Sequence, residues 1–459
     1  MLEIESLTLL QQAVEYLDEG FDDLPQFQEE GISGMSEVLL AVAARMRDNY
    51  PYPHPLYAGQ MLKPPHPLAR LAYSLALWIN PNNHALDGGR ASSAMEKEAV
   101  AEIAKMFEWT TYLGHLCGGG TMANLEALWV ANQAHPGKTI VASQQAHYTH
   151  RRITGVLQIP FQTVPCDQGA RMDVKQLESV LQTGVVGTVI ATMGSTATGS
   201  VDPLPALLDL QKTYGFRLHA DAAYGGYFTL VDNLRPDTRE SYENLHRVDS
   251  IAIDPHKHGL QPYGCGCILF SDPGVGALYE HNSPYTYFTS KALHLGEISI
   301  ECSRPGASAV ALWATQRLLP LVRGGAFSSR LEKSRSAAQR LAGKIRADAR
   351  WLLAFEPELD VVIWAPRGTS ASEISRRSHA IFSAAALADL HLAVASFPAT
   401  LLKATWDDLV WDQNDVVCLR SCLMKPEHLD WVERIWHTLN KAADQVVVRE
   451  GTGHADHLA

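Results

Sequence analysis

The stretch "SIAIDPHKHGLQPYGCGCILF", residues 250 to 270, sets one lysine between two histidines at a turn between two apolar runs. Both runs read as buried strands, so Lys257 belongs at a strand end rather than on an open surface. Buried surroundings and neighbouring imidazoles depress a lysine's pKa. The resulting neutral amine is a nucleophile that condenses with an aldehyde. A lone lysine at a strand end is most often a solvated charge, so this chemistry needs partners elsewhere in the chain.

One cofactor, pyridoxal phosphate, anchors on such a lysine and then serves as an electron sink. Its site makes three demands: a carboxylate on the pyridine nitrogen, donors for a phosphate dianion, and a flat group on the ring. Asp221, in "FRLHADAAYGG", follows an apolar strand and precedes the small Ala222 and Ala223. By itself it reads equally well as a helix N-cap. Gly118-Gly119-Gly120-Thr121 exposes backbone N–H groups ahead of a helical pattern, and a helix N-terminus attracts an anion. Glycines before a helix are also common in ordinary turns. His147, in "SQQAHYTHRR", is the candidate stacking group, although a histidine after a strand is more often a satisfied surface or core residue.

These residues must be held by a chain of 459 residues, which implies two or three domains of ~100–200 residues each. Apolar content of 46% and charged content of 19% suit a soluble globular enzyme. The formal charge, 38 − 50 = −12, disfavours nucleic acid and anionic membrane surfaces as partners. The seven cysteines include no C-x-x-C pair and read as free thiols in a reducing compartment. The N-terminus "MLEIESLTLL" lacks a basic n-region, and no apolar run reaches the ~20 residues of a spanning helix. A cytoplasmic protein with no metal site is the expectation.

Along the chain, "KTIVAS", "FQTVPC", "GTVIATM", "FRLHADAA", "DSIAID" and "CGCILF" read as strands, with helical patterns such as "DVKQLESVLQ" between several of them. That alternation implies an α/β fold with a mainly parallel sheet covered on both faces. Ser93 and Glu96 suggest the start of the helix over "ASSAMEKEAVAEIAKMF". Three units are expected: an N-terminal helical and extended segment over 1–75, a large domain over 76–310, and a small α+β domain over 311–459.

In order, "GGGTMAN", "AHYT", "HADAAYGG", "DPHKHG" and "ECSRPGA" resemble the group II pyridoxal phosphate-dependent amino-acid decarboxylases, over residues 50 to 425. The resemblance implies fold type I, with a seven-stranded type of mainly parallel sheet in the large domain, a small C-terminal domain, and an N-terminal segment packed on a partner subunit. It implies that Lys257 carries the cofactor, Asp221 faces the pyridine nitrogen, and Ala223 and His147 lie on the two ring faces. Gly120, Thr121 and His256 resemble phosphate contacts, and Thr198 a ring or phosphate contact. Ser303 resembles a serine that reaches the neighbouring subunit's phosphate, so a homodimer is implied. Arg420 resembles the arginine that holds the substrate carboxylate.

The acid that protonates Cα after carbon dioxide leaves is often a tyrosine on a mobile loop in this family. Tyr285 is the candidate here, with Tyr287 beside it. The chain departs from the family's pattern at Met122, where glutamate is common, and in "ALDGGRASSAME", where the family often shows a Ser-Pro; Asp87 and Arg90 sit where the family's substrate pocket is often lined. His54, Leu56 and Tyr57 of "PYPHPLYAGQ" are candidate lining residues and lean toward an apolar or aromatic substrate, while Arg90 would suit an acidic one. An aminotransferase or an aldehyde synthase shares the fold and the lysine. A non-enzymatic binding protein is disfavoured, because Lys257, Asp221, His147 and a candidate acid are all present.

Overall fold

The computed structural model describes residues 4–25, 33–280 and 293–453. Seven strands build the larger sheet: β1 Leu113–Cys117, β2 Thr139–Ser143, β3 Phe161–Val164, β4 Val186–Thr192, β5 Arg217–Asp221, β6 Ser250–Ile253 and β7 Gly266–Phe270. Their order is β1-β7-β6-β5-β4-β2-β3, and only β7 runs antiparallel to its neighbours. Strands β2, β4 and β6 are short and rich in β-branched residues, and most side chains of β2, β4, β5 and β6 are buried. This is what a sheet with helices on both faces requires. β1 was not legible as a strand, because "LGHLC" carries a glycine and a histidine. Its His115 is satisfied by Glu126 at 3.0 Å, which also accepts from Tyr279 at 3.1 Å.

The helices that matter for the site are α1 Ile4–Asp18, α2 Met35–Met46, α3 Pro67–Ile79, α4 Arg90–Met106, α5 Gly120–Ala134 and α6 Thr149–Val156. A second, four-stranded antiparallel sheet follows: β8 Trp351–Leu353, β9 Val361–Pro366, β10 Ala393–Pro398 and β11 Asp415–Cys422, in the order β10-β11-β9-β8. One buried cluster joins the two sheets, since Leu359, Val361 and Ile363 pack with Met193 and Tyr224. Helix α3 runs through residue 75 and the helix Gly306–Leu318 through residue 310, so a unit boundary at either place would cut a helix.

Ser93 and Glu96 do not start a helix. α4 begins at Arg90 after Gly89, and both residues lie buried inside it. Glu96 has a different task. Its Oε1 accepts from Arg304 Nη1 at 2.8 Å and from the Leu116 amide at 2.9 Å, and its Oε2 accepts from Asn83 Nδ2 at 2.6 Å. This buried ion pair ties the chain before α4, the start of the helix Gly306–Leu318 and strand β1 into one block. Removing one member of such a pair strands the other charge without water. Glu96→Ala is therefore expected to lower stability by about 3–5 kcal/mol, read from the denaturant midpoint at constant m. A loss below about 1 kcal/mol would show that Arg304 finds other acceptors.

Candidate active site

The carboxyl ends of the parallel strands converge on one cavity of about 450 Å³. Thr192 ends β4, Asp221 ends β5, Asp254 follows β6, and His147 follows β2. The glycine loop after β1 closes the same space, with Lys257 and His256 opposite. Ligands in open α/β sheets bind at this edge, because strand ends and helix N-termini meet there. Of the residues expected from the sequence, Lys257, Asp221, His147, Gly120, Thr121, Ala223 and His256 line this cavity together.

Lys257 differs from expectation in its charge. Burial alone would depress its pKa, but Asp254 Oδ2 lies 2.9 Å from Nζ, and Asp221 adds a second negative charge. The two carboxylates outweigh burial and hold the lysine above its ordinary value. His256 donates from Nδ1 to the Cys265 carbonyl at 2.8 Å, which leaves Nε2 toward the cavity, 3.6 Å from Asp254 Oδ2. Burial lowers the pKa of His256, and it does the same to His147, whose Nδ1 lies 2.8 Å from the Thr149 hydroxyl.

Asp221 is buried at 5% exposure. Burial raises its pKa, but the hydrogen bond and charge of His150, with His219 and Lys257 nearby, take it well below the usual carboxylate range. Its Oδ2 lies 2.8 Å from His150 Nε2, and its Oδ1 accepts from the Ala223 amide at 3.2 Å. Asp221 is thus an anion fixed at the cavity wall.

The glycine loop fits an oxyanion. Gly119, at φ 145°, adopts a backbone that other residues avoid, and a Cβ on Gly120 would sit 2.7 Å from Asp254 Oδ2. The amide of Gly118 already donates to the Glu301 carboxylate at 2.9 Å, an internal anion drawn to the cradle. The N-terminus of α5 faces the same point. Two buried polar atoms of the wall, Thr192 Oγ1 and Asp254 Oδ1, have no partner among the described residues. An ionised carboxylate, an oxyanion cradle and an amine around one cavity match the donor set that pyridoxal phosphate requires.

Other expected residues lie apart. Thr198 does not line the cavity; its hydroxyl is held 2.7 Å from Ser195 Oγ and 2.8 Å from Ser200 Oγ, inside the loop after β4. Thr192 and Thr196 line the wall in its place. Ser303 is exposed and accepts from Asn82 Nδ2 at 3.1 Å. Arg420, on β11, is buried and donates to the Gly59 carbonyl at 3.3 Å and to that of Thr196 at 2.8 Å, next to the cavity rather than in its lining.

His54 is exposed and packs edge-on against Trp431 at 4.9 Å, far from a lining role within this chain. Tyr57 is buried against Tyr52 and under the Lys425 ammonium, 5.2 Å from its ring. The proline-rich segment is anchored to β11, whose Cys422 amide donates to the Ala58 carbonyl at 2.8 Å, and to Trp431 of the helix His428–Gly453, and neither His54 nor Tyr57 lines the cavity. Tyr285 and Tyr287 lie outside the described residues.

His258, which had no partner in the sequence, is fully buried with Lys63 Nζ 3.3 Å from Nδ1 and Asp360 Oδ2 3.2 Å from Nε2. Tyr224, a wall residue, donates to Asp360 Oδ1 at 2.6 Å. Burial pushes Lys63 down to about 7. This network ties the turn that carries Lys257 to the second sheet. Asp254, His150, Thr192, Thr196 and Glu301 were missed. Only Asp254, three residues before Lys257 in one turn, and Glu301, inside "ECSRPG", carried a signal that sequence reasoning could have used.

The pyridoxal-dependent decarboxylase conserved domain matches residues 68–365. A probable L-tyrosine/L-aspartate decarboxylase of Methanothermobacter thermautotrophicus is 29% identical over 330 residues, 70% of this chain and 85% of that protein. The L-aspartate decarboxylase of Thermococcus kodakarensis is 28% identical over 339 residues, 73% of this chain and 85% of that one. Among solved structures, Oryza sativa TDC with PLP and tryptamine superposes with a TM-score of 0.78 at 17% identity, covering 96% of this chain and 95% of that one. That likeness shows the fold, fold type I.

The Asp254–Lys257 contact has a measurable consequence. Asp254→Asn removes the nearer carboxylate, so the pKa of Lys257 should fall. The pH midpoint for reductive trapping of Lys257 by an aldehyde is expected to move down in this variant. An unchanged midpoint would show that Asp221 alone keeps the lysine charged.

Proposed function

The chain belongs to the pyridoxal-dependent decarboxylase family, and we propose that the amino acid it decarboxylates has an uncharged aromatic or apolar side chain. The enzyme uses pyridoxal phosphate and releases carbon dioxide and an amine. The observation that carries the substrate reading is the charge of the wall. Among the described lining residues, Asp221, Asp254 and Glu301 face a single ammonium, Lys257. A side-chain carboxylate would meet like charge there. Arg90, the candidate counter-charge for an acidic substrate, is exposed at the start of α4.

In this reading Lys257 would anchor the cofactor and Asp221 would hold the proton on its ring nitrogen. His147 and Ala223 would bracket the ring. Gly120, Thr121 and His256 would hold the phosphate with the N-terminus of α5. Bound pyridoxal phosphate supplies an electron sink for the electrons left when the carboxylate departs. Arg420 would orient the substrate carboxylate; in support, its Nε is buried with no partner among the described residues. Tyr285 would deliver the proton to Cα.

A homodimer is part of the same reading. α2 buries none of its residues, and Met35, Val38, Leu39, Leu40 and Met46 are each more than 60% exposed. Such a run of apolar surface calls for a cover, and a second copy would also bring Ser303 to the neighbouring phosphate. All seven cysteines are free, which supports a reducing, cytoplasmic setting. No described helix is long and apolar enough to cross a membrane.

A panel of amino acids assayed for carbon dioxide and amine tests the substrate. Turnover of tyrosine or another aromatic amino acid is expected to exceed that of aspartate and glutamate by about tenfold or more in kcat/KM. Preference for aspartate would reverse the reading. Lys257→Ala should abolish turnover, and Tyr285→Phe should lower amine formation or divert the product to aldehyde. Sedimentation should give a dimer, and Val38→Glu with Leu39→Glu should weaken it; a monomeric parent protein would defeat that proposal.

A further inference from the structure

His150 was not singled out by any motif, yet it makes the shortest side-chain contact to the central carboxylate. It sits in the first turn of α6, three residues after His147, and is 0% exposed. The two histidines divide the work. His147 reaches the cavity, while His150 lies behind Asp221 with Nε2 2.8 Å from Oδ2. An ionised carboxylate only accepts, so Nε2 must carry the proton. His150 Nδ1 is buried with no hydrogen-bond partner among the described residues. A leucine or isoleucine would fill this position without leaving a polar atom dry. The histidine is a poor choice for packing and a good one for holding a carboxylate.

The other groups around Asp221 do not repeat this contact. His219, two residues earlier on β5, is engaged by Asn124 Oδ1 at 2.7 Å and Ser250 Oγ at 2.9 Å. Lys257 is taken by Asp254 at 2.9 Å. Among the described residues, Asp221 Oδ1 is oriented by the Ala223 amide alone. Without His150, Oδ2 would face the buried wall with no donor among the described groups, and the carboxylate would be free to rotate or take up a proton.

We propose that His150 is a positioning residue: its Nε2–H fixes the orientation and negative charge of Asp221, and through them the protonation of the cofactor's ring nitrogen. The inference rests on the reading that Asp221 faces that nitrogen. It predicts that histidine can be replaced only by another side chain able to donate to Asp221.

The test compares His150→Leu, His150→Gln and Asp221→Ala in the full-length protein. Three readouts are used: the dissociation constant of pyridoxal phosphate from titration of the apoprotein, the pH titration of the bound chromophore's absorbance, and kcat and KM. His150→Leu is expected to weaken cofactor binding by about tenfold, as loss of a charge-assisted hydrogen bond would. It should also shift the chromophore's pH titration and lower kcat by about tenfold with KM little changed. His150→Gln, which keeps an N–H donor, should recover most of the cofactor affinity and the parent pH profile.

The proposal is overturned if His150→Leu matches the parent protein in all three readouts, or if His150→Gln is as impaired as His150→Leu. It is overturned too if neither variant folds by circular dichroism, since His150 would then be a packing residue. Failure of the underlying reading looks different: Asp221→Ala would leave cofactor affinity and the chromophore's titration unchanged.

Discussion

A buried balance of charge governs this structure. Asp221 and Asp254 are carboxylates taken out of water at the ends of neighbouring strands, 5% and 2% exposed. Each needs a partner within hydrogen-bonding reach, because an isolated buried charge is costly. Asp254 takes Lys257 and Asp221 takes His150. The cavity wall is therefore not a set of independent side chains. Backbone pairing sets the register of β5 and β6, and moving one charge at their ends leaves another uncompensated.

Around that balance, the backbone makes room. Gly119 lets the chain pass close to His256 and Gly120 lets it pass close to Asp254 and Ala223, and the first turn of α5 brings its amides to the same point. The Gly118 amide donates to the Glu301 carboxylate at the same loop. Behind the turn that carries Lys257, His258 connects to Lys63 and Asp360, and Tyr224 reaches from the cavity wall to the same aspartate. The active-site turn is thereby linked to the N-terminal segment and to the second sheet through one buried polar chain.

Much of this was legible from residue order. Five β-branched or apolar runs announced the parallel strands, and "DPHKHG", "HADAAYGG" and the glycine loop announced the cavity. β1 was missed because its glycine and histidine break the strand pattern, and its stability comes from the pairing of "LGHLC" with β7. Thr198 falls outside the lining, two residues beyond Thr196, since the turn directs its hydroxyl at Ser195 and Ser200 instead of the cavity. His54 and Tyr57 read as lining residues on composition alone, and the contacts with Trp431, Tyr52 and Lys425 that turn them away come from distant parts of the chain.

The sequence by itself determined the kind of chemistry: which residue is the amine, which carboxylate lies at a strand end, and which glycines leave amides bare. Those facts depend on residue type and on local backbone rules, and both are written in short stretches. Only the tertiary structure decided the state of those groups. Lys257 holds its proton because Asp254 reaches it at 2.9 Å, and Asp221 keeps its charge because α6 brings His150, 71 residues away in the chain, to 2.8 Å. Electrostatic energy depends on distance and on burial, and neither is a property of any segment of sequence taken alone.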